Sequence, residues 1–271
     1  MLILRRIAIL ALLLLPAGAA CGQPAAPPAP SPLVTDRPGL LFSSTTVGRG
    51  VVLTEWGIPA VTVDNAGGVD ARLTSLVGLV RYGVTDAFEL RLGGPVYNES
   101  RVRVGGRTFT DRGFGDLEIG AKWHLLENHG AQPSLALIPS VIVPTGAKDF
   151  TADHPVYQLN VMAEWNLAND WGAGALVGYL NGPSGGDRGS RYGQETLGVT
   201  LGRSLPSPKW SAYGEAVYVV TNLAGASDSA FLGGGIKYLV SNDAQLDLSF
   251  DRGLTSDSPD WLLGLGLAAR F

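Results

Sequence analysis

The chain has 271 residues, a formal net charge of −4 and 37 glycines. With 45% hydrophobic residues it is too apolar to be disordered, and with 16% charged residues it is poorer in charge than most soluble domains. The sequence contains no run of about 18 uninterrupted apolar residues, which argues against membrane-spanning helices. Its acidic excess offers no basic surface for nucleic acid, so we exclude DNA and RNA as partners.

The N-terminus has the order of an export signal. Arg5 and Arg6 precede an apolar run at residues 7–15, and small residues follow up to Ala20. Cys21, the single cysteine, stands where a bacterial lipoprotein carries its lipid, but the residues before it lack the expected leucine, so its lipidation stays open. The predicted domains are a signal peptide at 1–20, a Pro/Ala-rich linker at 21–32 and a β-barrel at 33–271.

From residue 51 onward, apolar and polar residues alternate over segments of roughly ten residues, as tilted membrane strands require. Leu117 and Ile119, for example, oppose Glu118 and Lys122. Segments 134–146 and 210–221 are apolar on both faces for part of their length, and glycine replaces several polar partners in 171–180, as if the inward side were crowded. The predicted strands lie at 51–62, 75–82, 88–93, 116–125, 134–146, 157–167, 171–180, 194–203, 210–221, 231–239, 244–251 and 261–271.

The connections alternate between short turns and longer, glycine- or charge-rich loops. This layout is typical of outer-membrane barrels, which have short turns in the periplasm and long loops outside. The fold prediction is therefore an all-β, transmembrane, antiparallel up-and-down β-barrel of about 12 strands. Short turns are predicted at 83–86, 127–130, 168–170, 206–208 and 241–243, and long loops at 64–70, 98–114, 147–155, 181–191, 222–227 and 252–259.

The last segment supports this prediction. Every second residue back from the terminal Phe271 is apolar, and Phe271 resembles the C-terminal insertion signal of outer-membrane proteins. Aromatic residues near predicted strand ends suit the two interfacial girdles of such a barrel. The predicted girdle residues are Trp123, Tyr157, Trp165, Trp171, Tyr179, Tyr238, Trp261 and Phe271.

A closed ring in lipid must point its charged side chains into the lumen. Acidic residues are in excess among the predicted lumen residues, so selectivity is expected to lean toward cations or neutral solutes, while many of these charges would pair across strands. The predicted lumen residues are Glu55, Arg81, Glu89, Arg91, Glu118, Lys122, Glu164, Glu195, Glu215, Lys237, Asp247, Asp251 and Arg270.

Several short motifs resemble one known family, the outer-membrane family named for the MetA pathway of phenol degradation. The resemblance implies a barrel of this size that acts as a transporter, associated in some members with uptake of aromatic or other hydrophobic compounds, and it brings no catalytic residues. The motifs are Thr35-Asp36-Arg37-Pro38, Ser43-Ser44-Thr45-Thr46-Val47, Glu55, Arg81-Tyr82-Gly83-Val84-Thr85-Asp86, Glu89-Leu90-Arg91, Gly115-Asp116-Leu117, Gly120-Ala121-Lys122, Pro139 and Val143-Pro144-Thr145-Gly146.

The sequence thus predicts an outer-membrane channel for passive uptake of small solutes, with specificity set by the lumen charges and by residues 98–114. Its expected partners are outer-membrane lipid, the barrel-insertion machinery and the solute; no cofactor, metal site or catalytic residue is expected. One alternative is a plugged barrel with a structural or adhesion role. Another is a lipid-modifying enzyme, but none of the three histidines, His124 included, has a serine at a catalytic spacing.

Overall fold

The computed structural model describes residues 31–184 and 190–271. The predicted signal peptide, Cys21 and most of the predicted linker lie outside the described residues. Within the described ranges, no helix is long and apolar enough to cross a membrane. The strands are β1 (Val52–Ala66), β2 (Val69–Gly83), β3 (Phe88–Val104), β4 (Arg107–Gly113), β5 (Leu117–Leu126), β6 (Ser134–Val143), β7 (Val156–Asn166), β8 (Trp171–Pro183), β9 (Arg191–Ser204), β10 (Trp210–Asn222), β11 (Ser229–Ser241), β12 (Ala244–Gly253) and β13 (Trp261–Arg270). A 3-10 turn, Lys148–Phe150, lies between β6 and β7.

Twelve strands form a closed antiparallel ring, which confirms the predicted barrel and its strand number. Each strand of the ring pairs with the next one in chain order, except that β3 pairs directly with β5, and β1 closes the ring by pairing with β13. The first half of β3, Phe88 to Gly93, pairs with β5, whereas its second half, Asn98 to Val104, pairs with β4. β4 is therefore not part of the ring, and the second half of β3 pairs with β2 on one side and β4 on the other.

Side chains alternate between the outer face and the lumen along the strands, as the pleat requires, except at irregularities such as the register shift at Val96 on β3. On β13, Leu263, Leu265 and Leu267 lie on the exposed outer face, and Ala268 is buried on the inner face. Aromatic residues near the strand ends stack with cations on the outer face: the guanidinium of Arg252 lies 4.0 Å from the ring centre of Trp261. The outer surface is thus an apolar band with amphipathic residues at its edges.

The barrel has two unlike ends. At one end, named here the short-turn end, short connections join β2 to β3, β7 to β8, and β11 to β12, and both chain ends of the barrel, Val52 and Arg270, are found there. The opposite end, named here the long-loop end, carries the connections at 144–155, 223–228 and 254–260.

The prediction of loose loops at 64–70 and 98–114 is wrong. In both places the strands continue to a two-residue glycine turn, Gly67-Gly68 and Gly105-Gly106, in which all four glycines have positive φ. These hairpins extend beyond the apolar band, where water reaches both faces, so the alternation that marks a membrane strand disappears while the hydrogen-bond ladder continues.

Candidate functional site: the lumen and its N-terminal segment

Residues 33–48, the N-terminal segment, lie inside the lumen at the short-turn end. The Leu33 amide donates to the carbonyl of Asn242 at 2.8 Å, and the Thr46 hydroxyl donates to the carbonyl of Asp86, so both ends of the segment reach short turns. Leu33 and Leu41 are buried. The sequence prediction assigned these residues to the barrel without placing them in the lumen.

Inward carboxylates of the barrel hold the backbone of this segment. Glu55 accepts from the amides of Asp36 at 3.0 Å and Arg37 at 2.9 Å, and Glu215 accepts from the amide of Leu40 at 2.9 Å. A buried chain without a β ladder has amides that need acceptors, and a carboxylate supplies two strong ones.

The same arrangement repeats further along the segment. Glu164 accepts from the Ser44 amide at 2.6 Å, and Glu89 accepts from the Val47 amide at 2.9 Å. The acidic excess predicted for the lumen therefore has a structural role, because some of these carboxylates are matched by backbone amides rather than by cations.

Asp36 ties the segment to a cluster of buried cations. Its carboxylate lies 2.6 Å from Arg91, 2.7 Å from Lys122 and 3.7 Å from Arg81. Burial alone would raise the pKa of Asp36, but the positive charges of Arg81, Arg91 and Lys122 outweigh that effect and hold the pKa well below its usual range. Asp36 is thus held as a carboxylate among three cations.

Arg81 is at the centre of this cluster and is fully buried. Its guanidinium donates to Glu89 at 2.7 Å, to Glu55 at 3.0 Å and to the carbonyl of Thr45 at 2.8 Å. One side chain therefore joins two barrel strands to the N-terminal segment. Together, the inward faces of β1, β2, β3 and β5 form what we name the charged wall: Glu55, Arg81, Glu89, Arg91 and Lys122.

The opposite side of the lumen is apolar. Leu41 of the segment packs in a buried cluster with the inward residues of β6, β7, β8 and β10, and Phe42 packs against the same cluster. On β9, Gly198 leaves room for Leu41, because a Cβ there would lie 2.9 Å from the Leu41 Cδ1 atom. We name these inward residues the apolar wall: Ile138, Met162, Leu176 and Val217.

Arg37 explains the small residues on the inward face of the final strand. Its guanidinium is 3.1 Å from Asp247. A Cβ on Gly266 would overlap the Arg37 Nε atom, and one on Gly57 would lie 2.8 Å from Nη1. These glycines therefore provide the space in which the Arg37 side chain lies against the inner face of β1 and β13.

A cavity of about 970 Å³ remains between the segment and the barrel at the short-turn end. Its lining combines charged residues, such as Glu164, Glu215 and Lys237, with Tyr213 and the segment itself. Cavities that hold small molecules commonly have about 300–1,000 Å³, so this one has the size for a small solute.

The structure places nearly all predicted lumen residues on the inner face. Arg270 is at the rim, where it binds Asp243 at 2.6 Å. Glu195 is a correction: it pairs in register with Tyr179 and Val220, which lie on the outer face. The remaining predicted residues, all on inward positions, are Glu55, Arg81, Glu89, Arg91, Glu118, Lys122, Glu164, Glu215, Lys237, Asp247 and Asp251.

The error at Glu195 has a physical cause. Glu195 is the fifth residue of β9 and lies near the long-loop end of the barrel. An outward carboxylate can reach water there. Its neighbour Gln194 is the inward residue and donates to Thr221 at 3.1 Å. Charge alone therefore assigned the face incorrectly.

His124 does not form a catalytic pair with Ser44, whose backbone it contacts. Its Nδ1 atom lies 3.0 Å from the carbonyl oxygen of Ser44, and its Nε2 atom lies 3.0 Å from Glu127. The Ser44 hydroxyl instead contacts Ser134 at 2.6 Å and Glu164 at 2.5 Å. The imidazole is thus not placed to accept a proton from that hydroxyl.

Solved structures with the same fold are bacterial outer-membrane barrels. An outer membrane channel from Pseudomonas putida F1 matches with a TM-score of 0.61 at 16% identity, covering 87% of this chain and 99% of that chain. The translocator domain of the autotransporter NalP from Neisseria meningitidis gives 0.53 at 12% identity, covering 83% and 89%. The NanC porin gives 0.50 at 9% identity, covering 81% and 98%.

No curated protein matches the sequence. A family model does match, over residues 35–271, which include the N-terminal segment from Thr35 onward and the thirteen strands of the described residues. This chain therefore belongs to the family described as "Putative MetA-pathway of phenol degradation".

Proposed function

We propose that this protein is an outer-membrane channel through which small solutes diffuse passively, and that it is not an enzyme. The observation that carries the proposal is the cavity of about 970 Å³ in the lumen, which is lined by charged side chains such as Glu215 and Lys237 and by apolar ones such as Phe42. Transport down a gradient needs no catalytic group. It needs only a lining that binds the solute weakly enough to release it.

The lining of the cavity indicates the class of solute. A small aromatic acid or phenol could place its ring against apolar side chains of the lining, such as Phe42, and its polar group against charged ones, such as Lys237. The family name, which refers to phenol degradation, supports aromatic compounds as candidates. The N-terminal segment would form the narrowest part of the path because it occupies the lumen between the two walls.

The cellular placement is part of the proposal. The signal peptide predicted at 1–20 would export the chain, the barrel-insertion machinery would recognise its C-terminal strand, and the short-turn end would face the periplasm. The printed descriptions of the neighbours support a channel, since one is an outer membrane channel and another a porin.

One observation favours a second candidate, a closed barrel with a structural role. The N-terminal segment is held by buried ion pairs at Asp36 and by apolar packing at Leu41, which is a stronger attachment than a loosely bound gate needs. In this alternative, the segment fills the lumen permanently.

Single-channel recording separates the two candidates. The mature protein and a variant lacking residues 33–48 are refolded and inserted into planar bilayers, with heat-modifiable gel migration to verify folding. A channel predicts steady conductance steps for the full-length protein, reduced by benzoate or phenol, and larger steps for the deletion. A folded full-length protein without conductance, beside a conducting deletion variant, would instead support the permanently closed barrel.

A further inference from the structure

The β1–β2 and β3–β4 hairpins extend past the ring at the long-loop end. β2 pairs with β3 up to Val69 and Val104, and β3 pairs with β4 over Asn98 to Val104. Ser75 and Asn98 face inward, where the Ser75 hydroxyl donates to Asn98 at 2.6 Å. Because faces alternate along a strand, the odd-numbered residues that follow Asn98 on β3 face outward.

Four arginines share this outward face. Arg72 on β2 lies directly opposite Arg101 on β3, and Arg103 follows two residues later. Arg112 on β4 lies opposite Glu99, which contacts both Arg112 at 2.8 Å and Arg101 at 3.4 Å. We name Arg72, Arg101, Arg103 and Arg112 the arginine face.

The arginine face carries more positive than negative charge. Within the described strands, the acidic residues on this face are Glu99 and Asp70, and Asp70 lies opposite Arg103. Like charges directly opposite each other, as at Arg72 and Arg101, destabilise a sheet unless an anion lies across them. The Arg101 and Arg112 side chains are 57% and 60% exposed, so an external anion can reach them.

Other arginines near the long-loop end are matched by the protein itself. Arg191 donates to the carbonyls of Pro155 and Asn181 at 2.9 and 2.7 Å. Arg252 lies 3.5 Å from Asp260 and stacks on the ring of Trp261. The surplus of cations is therefore a local property of β2, β3 and β4.

The arginine face begins directly beyond the apolar band. Leu92, Val96 and Tyr97 on β3 are exposed on the outer surface. Arg101 comes four residues after Tyr97, which is about 13 Å along a strand. Long arginine side chains on tilted strands reach the headgroup layer from this distance.

We propose that the arginine face binds the phosphate groups of lipopolysaccharide in the outer leaflet. A guanidinium donates two parallel hydrogen bonds to a phosphate, a geometry that lysine does not offer. The cations of this face are all arginines, so each of them can bind a phosphate in this way. A lipid phosphate lying between Arg72 and Arg101 would also remove their mutual repulsion. The inference rests on the proposed membrane orientation but not on solute conduction.

Native mass spectrometry of the mature protein in detergent tests this proposal. The probes are bisphosphorylated lipid A and the same lipid without phosphates. We expect the triple variant R72Q/R101Q/R103Q to bind the phosphorylated lipid roughly 100-fold more weakly than the unaltered protein, at about fivefold for each arginine. The matched control is R203Q, which removes an outward arginine that stacks on Trp171 near the opposite end.

The outcomes are distinct. Loss of phosphorylated-lipid binding in the triple variant alone, with folding verified by heat-modifiable migration, supports the arginine face. Equal binding of both lipids to the unaltered protein would show attachment to the apolar band only and would overturn the proposal. Undiminished binding by the folded triple variant would overturn it as well. Conductance is not a readout here, so the channel proposal stands or fails separately.

Discussion

On one side of the lumen, Arg81 and its carboxylate partners hold the N-terminal segment through ion pairs and hydrogen bonds; on the other side, Ile138, Met162 and Leu176 hold it through apolar contacts. The two walls differ in how much stability they lose when one of their residues is replaced. A buried charge network loses much of its stability when one partner is removed, because the remaining charges are left without compensation. Apolar packing loses stability in proportion to the volume removed.

The largest effect is expected at Arg81. In R81A, Glu55 and Glu89 stay buried without their shared cation, so we expect the free energy of unfolding in lipid vesicles to fall by about 3–5 kcal/mol. Hydrogen exchange at the amides of residues 33–48 should increase in parallel. R203A, on the outer face, is the control, and a loss below about 1 kcal/mol in R81A would contradict the role given to the charged wall.

A somewhat smaller effect is expected at Leu41, which packs against the apolar wall. L41A should lower the free energy of unfolding by about 2–4 kcal/mol, because it opens a cavity among Ile138, Met162 and Val217. The neighbouring Leu40 is 39% exposed, so L40A should cost less than about 0.5 kcal/mol. Equal losses in urea unfolding of the two variants would mean that Leu41 is not packed in this cluster.

Asp36 makes the charged wall depend on pH in a predictable direction. Since its pKa lies well below the ordinary 3.8, the carboxylate stabilises the fold at pH values above that number and ceases to do so as the pH falls through the lowered value. D36N should therefore cost about 2 kcal/mol at pH 7.

Urea titrations of the unaltered protein and D36N between pH 8 and pH 3 test this dependence. Their difference in unfolding free energy should be constant down to about pH 5 and shrink only at lower pH. A difference that disappears between pH 7 and pH 5 would show that Asp36 is not held by Arg91 and Lys122 as described.

The comparison of the walls also shows what the sequence could predict. Alternation predicted most strands, because an outer face in lipid must be apolar whatever the lumen contains. Segments 134–146 and 210–221 were ambiguous for a reason that the structure supplies: Ile138 and Val217, on their inward faces, pack against Leu41. A barrel strand that is apolar on both faces therefore indicates that an apolar segment of the chain packs inside the barrel.

The position of the N-terminal segment could not be predicted in the same way. Its amides bind carboxylates far away in sequence, as in the contact of Leu40 with Glu215, and such pairs leave no period in the sequence. Two signals were available, the acidic excess of the lumen and the glycines on inward faces such as Gly198 and Gly266. Both report that something other than water occupies the interior.

A smaller change tests the fit of Leu41 from the barrel side. G198A would place a Cβ 2.9 Å from the Leu41 Cδ1 atom, so we expect a loss of about 1–2 kcal/mol from overpacking. Gly172, on the neighbouring strand β8, is the matched control because a Cβ there meets its nearest atom at 3.7 Å. A similar loss in G198A and G172A would point to strand propensity rather than contact with Leu41.

The smallest expected effect is the coupling energy between R81A and L41A, which shows whether the two walls hold the N-terminal segment together or separately. If both walls hold the N-terminal segment as one rigid unit, R81A already releases that unit, and L41A then removes less stability. The loss of unfolding free energy in the double variant should therefore be about 1 kcal/mol smaller than the sum of the two single losses. Phe42 provides a physical link, since it packs against the apolar cluster and lies 5.7 Å from the Arg91 guanidinium. Additivity within about 0.5 kcal/mol would instead show that each wall holds its own part of residues 33–48, so that one part could leave the lumen while the other stays.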